Sequence, residues 1–447
     1  MISTAEAAKR LGVSQRRVLA LIRSGDLAAE RFGRAWMVDE RSVDRRASSP
    51  KLRGRPKMGQ KDLMSLRRCT LMNRNHAVLD FTYDDVRKTV TIDALHDGVE
   101  WAPPGIGERG RRPNPLDLAS WIGRRYMPAL RPEAPRLLKA ANAASVDALM
   151  FGSLGLNLSD QYWFKPAGAD LDWHEVNFFE NGYSHDSGVP LRIPDSSTPG
   201  ALEKRWERIE GKDWLVKGAS TGERREPYNE LLATELASRL LSEGEYVPYR
   251  LVEREGLTCS ACPTFATAET EFVSAADVLV YAGVSRGRDL YRGYARACEE
   301  LGVDDIRVAL AKMIVCDHVM ANFDRHLGNF GLIRTVETRD GWHVAPLFDG
   351  GAAFFSRASI VELRHARYTW TANPFEEYPL RQLARVEDMS WYDPEMLSGF
   401  PERVAEVLSG NPMLTDEFAE LAARHVGRNI AAVDDLAAER NALYRGF

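Results

Sequence analysis

The sequence predicts a mixed α/β protein of two or three domains that begins with a small helical domain. The chain has 447 residues, which is more than one ordinary domain holds. From about residue 62 onward, short apolar segments typical of strands are mixed with longer segments of helical periodicity. Residues 1–61 carry a net charge of +9 and the remainder carries −14, so a basic head precedes an acidic body.

The composition excludes several classes of protein. With 44% hydrophobic and 28% charged residues, the chain resembles globular proteins and not disordered ones. It has no apolar run near the roughly 18 residues that a membrane helix needs, and no secretory leader pattern. The five cysteines are odd in number and scattered, which argues against a disulfide framework. We therefore expect a cytoplasmic protein that does not contact a membrane. Cys259 and Cys262 form an isolated CxxC, and no second ligand pair at zinc spacing follows it.

The basic head begins with two short helical patterns. Ser3 and Glu6 have the spacing of a capping box at the start of the first pattern. Gly12 ends this helix, and Ser14 opens a second one that ends near Gly25. Residues 30–32 and 35–38 then flank a Gly-Arg turn, which predicts a small hairpin followed by a further helical turn. This order of elements is typical of a helix-turn-helix with a wing.

Residues 2–46 resemble the winged helix-turn-helix domains of the excisionase and MerR type. The resemblance implies that residues 1–46 form a DNA-binding domain whose second helix faces the major groove and the phosphates. The expected DNA contacts on the second helix and the wing are Gln15, Arg16, Arg17, Arg23, Arg31 and Arg34. Such proteins often bind two half-sites as dimers, so a homodimer is one possible assembly. A small protein-docking module is the alternative interpretation of the head.

Residues 47–61 form a linker rich in proline, glycine, serine and basic residues. Within it, the sequence from Arg53 to Pro56 resembles an AT-hook, in which Arg53 and Arg55 would enter a narrow minor groove. A solvated basic tether explains the same composition. Either form adds salt-dependent attraction to phosphates.

Lys217 ends a short apolar strand, and a small glycine-bearing turn follows it directly. Such a turn lets backbone N–H groups approach phosphates, which makes Gly218, Ser220 and Thr221 candidate nucleotide contacts. A helical pattern begins shortly afterwards with Glu230 near its start. The Glu230 carboxylate could orient Lys217, although an ordinary acidic residue in a first helical turn explains it equally well.

The most informative segment follows an apolar helix predicted over 308–320. Asp324 and Asn329 are five residues apart, which is the Asp-to-Asn interval of the protein-kinase catalytic loop. Asp349 follows an apolar strand and precedes two glycines, like the metal-binding Asp-Phe-Gly element of kinases. Together with Lys217, these residues follow one another along the chain as lysine, aspartate, asparagine and aspartate, the order found in protein kinases. Each has a simpler interpretation: Asp324 and Arg325 could form a surface salt bridge, His326 could be a structural hydrogen bonder, and Asp349 could cap a turn.

The motifs at 322–330 and 345–349 resemble the HipA-like kinases, which include toxins of bacterial toxin–antitoxin systems. The resemblance covers most of residues 70–440. It implies a two-lobed, atypical serine/threonine-kinase fold with a mainly helical C-lobe, divided into residues 62–250 and 251–447. It also implies Asp324 as the catalytic base, with His326 as the catalytic-loop histidine. Asn329 and Asp349 would bind Mg²⁺, and Lys217 would contact the phosphates of ATP.

The expected function is therefore ATP- and Mg²⁺-dependent phosphorylation of a serine or threonine on a protein, such as a translation factor. The kinase could also phosphorylate itself at Ser220 or Thr221, although the surrounding loop sequence differs from that of the family. An antitoxin partner is implied by the family, but here a DNA-binding-like head is fused to the kinase. The alternatives are a DNA-binding regulator whose kinase-like body senses nucleotide without catalysis, and a small-molecule kinase.

Overall fold

A computed structural model describes residues 1–48 apart from 12, 24–26 and 33–34, and residues 66–445 apart from 108, 184, 186–191, 221, 285–288 and 366. The chain divides into two compact units, Met1–Met64 and Ser65–Phe447. The predicted linker contacts Arg53 and Arg55, the wing residue Arg34, and Thr221 lie outside the described residues.

The N-terminal unit has the predicted order of elements, with one additional strand at its start. Its elements are β1 (Ile2–Ser3), α1 (Thr4–Leu11), α2 (Gln15–Arg23), β2 (Ala29–Phe32), β3 (Ala35–Val38) and α3 (Glu40–Ser48). The strands form an antiparallel sheet in the order β1-β3-β2. The apolar faces of α1 and α2 pack with the sheet into a small core that includes Ala7, Val18 and Val38.

Local capping explains the helix starts in this unit. The Ser3 hydroxyl accepts a hydrogen bond from the backbone N–H of Glu6 at 3.2 Å, as the capping-box spacing predicted. The carboxylate of Asp39 accepts the N–H of Arg41 at 3.4 Å at the start of α3. This last helix is nine residues long, so it is longer than the single turn that the sequence predicted.

The larger unit is a mixture of strands and helices. In chain order its elements are β4 (Leu66–Asn73), β5 (His76–Asp84), β6 (Thr89–Leu95), α4 (Pro115–Gly123), α5 (Ala134–Ala140), α6 (Val146–Gly152), β7 (Tyr162–Pro166), α7 (Trp173–Val176), α8 (Phe178–Asn181), β8 (Lys204–Ile209), β9 (Lys212–Lys217), α9 (Glu226–Leu240), β10 (Arg250–Arg254), β11 (Leu257–Pro263), β12 (Thr270–Ser274), α10 (Ala275–Tyr281), α11 (Leu290–Glu300), α12 (Ile306–Val319), β13 (Gly331–Thr335), β14 (His343–Val344), α13 (Ile360–Arg364), α14 (Pro379–Leu383), α15 (Phe400–Ser409) and α16 (Asp416–Arg445). Short 3-10 helices lie at Val99–Trp101, Pro194–Ser197 and Pro394–Leu397.

Within the described part of this unit, three antiparallel sheets organise the fold. The first has the order β6-β5-β4-β7 and packs against α4 and α6 through an apolar core. The second has the order β10-β11-β9-β8, and α9 follows its strand β9 along the chain. The third, β12-β13-β14, lies among the helices of the C-terminal part. Helices α9 to α12, α15 and α16, with the loops between them, share the largest apolar core among the described residues.

In the larger unit the structure differs from the predicted boundary between the lobes. The predicted boundary between lobes at 250/251 cuts through the second sheet, because β10 pairs with β11 and β11 pairs with β9. This sheet therefore continues to Pro263 instead of ending at residue 250. Residues 151–213 contribute strands β7 and β8. Among the described residues, no helix combines the length and apolar character needed to cross a lipid bilayer.

Candidate active site

Lys217 is the centre of the predicted site. It ends strand β9, and its side chain is almost completely buried. The Lys217 Nζ donates hydrogen bonds to Glu230 Oε1 at 2.7 Å, to Asp349 Oδ1 at 2.6 Å and to the Tyr249 hydroxyl at 3.1 Å. A buried ammonium needs such carboxylate partners, because burial without them is costly. The structure thus brings together three residues that the sequence placed 13 to 132 positions apart.

Glu230 connects Lys217 to the backbone that follows Asp349. It lies in the second turn of α9 and is fully enclosed. Its Oε2 accepts the backbone N–H of Gly350 at 2.8 Å, while its Oε1 pairs with Lys217. The neighbouring Asn229 amide donates to the carbonyls of Gly351 and Ala353, at 2.9 Å each. Helix α9 therefore fixes both the lysine and the loop that carries Asp349.

The backbone at Asp349 is unusual. Its φ is +62°, a left-handed conformation that costs a non-glycine residue about 1 kcal/mol or more. The Asp349 N–H donates to the Tyr249 hydroxyl at 3.3 Å, and Lys217 holds the carboxylate. At the next position, a Cβ on Gly350 would lie 2.4 Å from the Ala233 Cβ, so only glycine fits against α9. Strain of this kind persists where the surroundings determine the conformation, and it is frequent at functional sites.

Lys217 and Asp349 are both charged at neutral pH. Burial alone would lower the pKa of Lys217, but Asp349 and Glu230 outweigh burial and raise the pKa well above its ordinary value. Burial alone would raise the pKa of Asp349, but the charges of Lys217 and Lys204 hold the pKa well below its usual range. Lys217 is therefore a cation and Asp349 an anion, as phosphate and metal binding require.

The loop after α12 carries Asp324 and Asn329. The Asp324 N–H donates to Asn322 Oδ1 at 3.1 Å, and the Asn329 Nδ2 donates to the Asp324 carbonyl at 3.1 Å. The second hydrogen bond closes the five-residue interval and orients the amide. His326 and Asp324 are both exposed, and His326 Nδ1 accepts the N–H of Gly328 at 3.0 Å. A neutral His326 ring in this arrangement carries its proton on Nε2.

Arg325 joins this loop to the segment before Asp349. It is completely buried and pairs with Asp317 of α12, with Nε 3.0 Å from Asp317 Oδ2. A single nitrogen, Nη1, donates to the Asn329 carbonyl at 2.8 Å and to the Phe348 carbonyl at 2.5 Å. One of these carbonyls belongs to the predicted metal ligand Asn329, and the other belongs to Phe348, directly before the predicted ligand Asp349. The two predicted ligands are therefore held within a few ångströms of each other along the backbone. The surface salt bridge between Asp324 and Arg325, an alternative left open by the sequence, is not what the structure contains.

The predicted nucleotide turn is described in part. Gly218 donates its N–H to the Glu203 carbonyl at 2.9 Å, which continues the pairing of β9 with the segment before β8. Ser220 is exposed, and both its N–H and its hydroxyl donate to Glu226 Oε1 at the start of α9. The turn therefore lies beside the N-terminus of α9, close to the Asp349 loop.

Lys204 and Tyr249 also belong to this cluster, although no sequence motif predicts them. Lys204 lies directly opposite Lys217 in the β8–β9 pair, so both side chains are on the same face. Its Nζ donates to the Pro199 carbonyl at 2.9 Å, and burial lowers its pKa to about 8. The turn residues Glu210 and Gly211, both with positive φ, set this register. Pairing residues outward from this two-residue turn, one strand against the other, places Lys204 opposite Lys217.

The predicted DNA contacts belong to the N-terminal unit. Gln15 and Arg16 are exposed on the first turn of α2, and Arg31 is exposed on β2. Arg17 and Arg23 are also residues of α2. Arg10 of α1 pairs with Glu6 and Glu40 and thereby joins α1 to α3. The exposed first turn of α2 carries the polar Gln15 and the basic Arg16, residue types that contact phosphates and base edges.

Comparison with known proteins identifies this unit. Residues 1–49 match the family model of a helix-turn-helix domain. The N-terminal unit is a helix-turn-helix domain. Among curated proteins, the serine/threonine-protein kinase CtkA of Helicobacter pylori strain J99 is 39% identical over 49 residues, or 11% of this chain. The chain thus spans only 15% of the length of that relative.

Two solved structures are distantly similar to the chain. The proinflammatory kinase CtkA of Helicobacter pylori aligns at 17% identity and a TM-score of 0.41, over 55% of this chain and 95% of that one. HipA, from the toxin–antitoxin complex of Shewanella oneidensis MR-1 with HipB and operator DNA, aligns at 14% identity and a TM-score of 0.47. That alignment covers 82% of this chain and 97% of that one.

Proposed function

We propose that the chain is an ATP- and Mg²⁺-dependent kinase of the HipA-like type, joined to a DNA-binding helix-turn-helix domain. The observation that carries this proposal is the bonding of Lys217 to both Glu230 and Asp349. Protein kinases use the same arrangement, in which a strand lysine pairs with a helix glutamate beside the metal-binding aspartate. Lys217, Glu230, Tyr249 and Asp349, all buried or half-buried, converge there. Apolar packing alone does not explain such a cluster of polar groups.

Asn329 and Asp349 fit a Mg²⁺ ion by their chemistry. Both present side-chain oxygens, which this hard cation prefers, and Mg²⁺ is usually held by one or two such ligands together with phosphate oxygens. The Asp349 carboxylate keeps 25% of its side chain exposed although Lys217 holds one of its oxygens. The bound ion would neutralise charge on the β- and γ-phosphates.

The other groups would bind the phosphates of ATP and activate the acceptor hydroxyl. Lys217, with Lys204 beside it, provides positive charge for the phosphates of ATP. Asp324 would orient the acceptor hydroxyl and accept its proton, because an exposed carboxylate on this loop is open to a substrate. The hydrogen bond from Asn329 to the Asp324 backbone keeps the base and the metal ligand in a fixed relation. The acceptor is a serine or threonine of a protein, or a hydroxyl of this chain such as that of Ser220.

The first test is transfer of label from γ-labelled ATP, with and without a Mg²⁺ chelator, to the full-length protein and to proteins of a bacterial lysate. We expect labelled serine or threonine only when Mg²⁺ is present. ATP binding with no transfer to any acceptor would support a DNA-binding regulator that senses nucleotide. Label recovered only in small molecules would support a small-molecule kinase.

Replacing Lys217 with alanine should weaken ATP binding. A hydrogen bond to a charged group contributes about 1.5–3 kcal/mol, so we expect the affinity to fall roughly ten- to hundredfold. Isothermal titration with a non-hydrolysable ATP analogue measures this change, and thermal unfolding shows whether the fold persists. The control is Lys212→Ala at the exposed start of the same strand. Equal affinities of the folded Lys217 variant and the wild type would remove Lys217 from the nucleotide site.

The head is expected to bind DNA through phosphate contacts of α2. For the full-length Arg16→Ala variant, we expect the slope of log affinity against log salt concentration to fall by about 1. The control is Arg10→Ala, because Arg10 is engaged by Glu6 and Glu40. Fluorescence anisotropy on a labelled duplex measures both slopes. An unchanged slope for the Arg16 variant would contradict the assignment.

A further inference from the structure

Arg357 lies next to the predicted catalytic base without a carboxylate partner. Its guanidinium carbon is 4.1 Å from the ring centroid of Phe323, the residue that precedes Asp324 in the chain. The side chain is exposed, and among the residues that the structure describes it forms neither an ion pair nor a hydrogen bond. An arginine stacked on a ring keeps its N–H edge available for a planar anion.

The loop that carries Arg357 is held rigidly. The buried Arg225 Nη1 donates to the carbonyls of Phe355, Ser356 and Ala358, at 3.2, 3.3 and 3.1 Å. Phe354 and Phe355 both have positive φ, at +49° and +60°, which unsupported loops rarely adopt. Arg225 directly precedes α9, so the same helix that positions Lys217 through Glu230 also positions this loop. A ligand of Arg357 would therefore meet a preorganised group.

The surroundings of Arg357 favour an extended peptide over an enclosed small molecule. Asp324 and His326 are exposed, whereas small-molecule sites usually bury most of their ligand. The Phe323 carbonyl accepts a hydrogen bond from Asn373 Nδ2 at 2.7 Å, which places Asn373 beside the catalytic loop. The base thus lies on an open surface with the cationic Arg357 beside it.

We propose that Arg357 binds a carboxylate side chain that flanks the acceptor serine or threonine, so that the kinase prefers acidic peptide segments. This inference rests on the proposed function, because it places the acceptor hydroxyl at Asp324. A guanidinium can bind a carboxylate through two parallel hydrogen bonds, which fixes the peptide as well as attracting it. Arg357 is a specificity residue and takes no part in the transfer of the phosphoryl group.

The test measures peptide binding to full-length protein that carries Asp324→Asn, which prevents transfer. The probes are labelled serine-centred peptides with glutamate at each flanking position in turn, and the matching glutamine peptides. We expect at least one glutamate peptide to bind roughly tenfold more tightly than its match, about 1.4 kcal/mol. Adding Arg357→Gln should abolish this preference, and Arg357→Glu should shift it toward lysine peptides.

Arg250→Gln is the matched control, since the exposed Arg250 stacks on Trp214 at 4.2 Å. Trp214 is three residues before Lys217 on β9, so it faces the opposite side of that sheet. Three outcomes would each overturn the inference. They are equal binding of all matched peptide pairs, no binding of any peptide, and a preference that persists in the Arg357 variant. Wild-type transfer is measured separately, so an inactive protein with an Arg357-dependent preference would contradict only the proposed function.

Discussion

Replacing Asp324 with alanine should lower the rate of phosphoryl transfer roughly 10²- to 10⁴-fold, the usual contribution of a general base. The affinity for ATP should change by no more than about twofold, because Lys217, Asn329 and Asp349 keep their contacts. Asp324 is exposed and its backbone contacts do not involve its carboxylate, so the loop should keep its shape. Single-turnover labelling gives the rate, and titration with an ATP analogue gives the affinity.

The matched control for this prediction is Asp304→Ala. Asp304 is also an exposed aspartate, and it lies before α12 at the other end of that helix from the catalytic loop. Its loss should leave transfer unchanged. Transfer at the wild-type rate by the Asp324 variant would remove this residue from the reaction, whereas equal losses in rate and in ATP affinity would indicate a structural role.

Replacing Asp317 with alanine should lower the free energy of unfolding of the larger unit by about 3–5 kcal/mol. The guanidinium of Arg325 would then remain fully buried without its counter-charge. Asp317 also accepts a hydrogen bond from the Asn322 amide at 2.9 Å, so the catalytic loop would lose a second support. Denaturant unfolding followed by tryptophan fluorescence measures the change, and Asp317→Asn should cost less because it keeps part of the hydrogen bonding.

An exposed ion pair supplies the comparison. Glu417→Ala breaks the pair of Glu417 with Arg364, in which both side chains are about half exposed, and pairs of this kind contribute about 0–1 kcal/mol. We expect the Glu417 variant to unfold near the wild-type midpoint. An Asp317 variant that is as stable as the Glu417 variant would show that water or another group compensates Arg325.

The helices of the head follow from local sequence patterns, and the prediction of the central site residues rests on local patterns as well. The cap at Ser3 acts within the first turn of α1 and needs no tertiary contact. Lys217, Asp324, Asn329 and Asp349 stand in short motifs with characteristic spacing. The sequence does not determine the contact of Glu230 with Lys217, because it cannot show which face of α9 meets β9.

Long-range pairing explains what the sequence did not predict. One alternative interpretation of the sequence places Arg325 in a surface salt bridge, but Arg325 is buried against Asp317, a charged residue within an apolar helix. That charge within an apolar pattern was the available signal for a buried partner. Tyr249 gave no comparable signal, because its role depends on the return of β10 to the sheet. The boundary at 250/251 was misplaced for the same reason, since β-sheet partners lie far apart in the chain.

The register of the β8–β9 hairpin has a consequence for related sequences. A shift of one residue between these strands would turn Lys204 to the other face of the sheet and away from Lys217. Homologues that keep both lysines should therefore tolerate exchanges of side chains along the hairpin but not single-residue insertions or deletions within its strands. Length, more than residue identity, should be the conserved property of residues 204–217 during evolution.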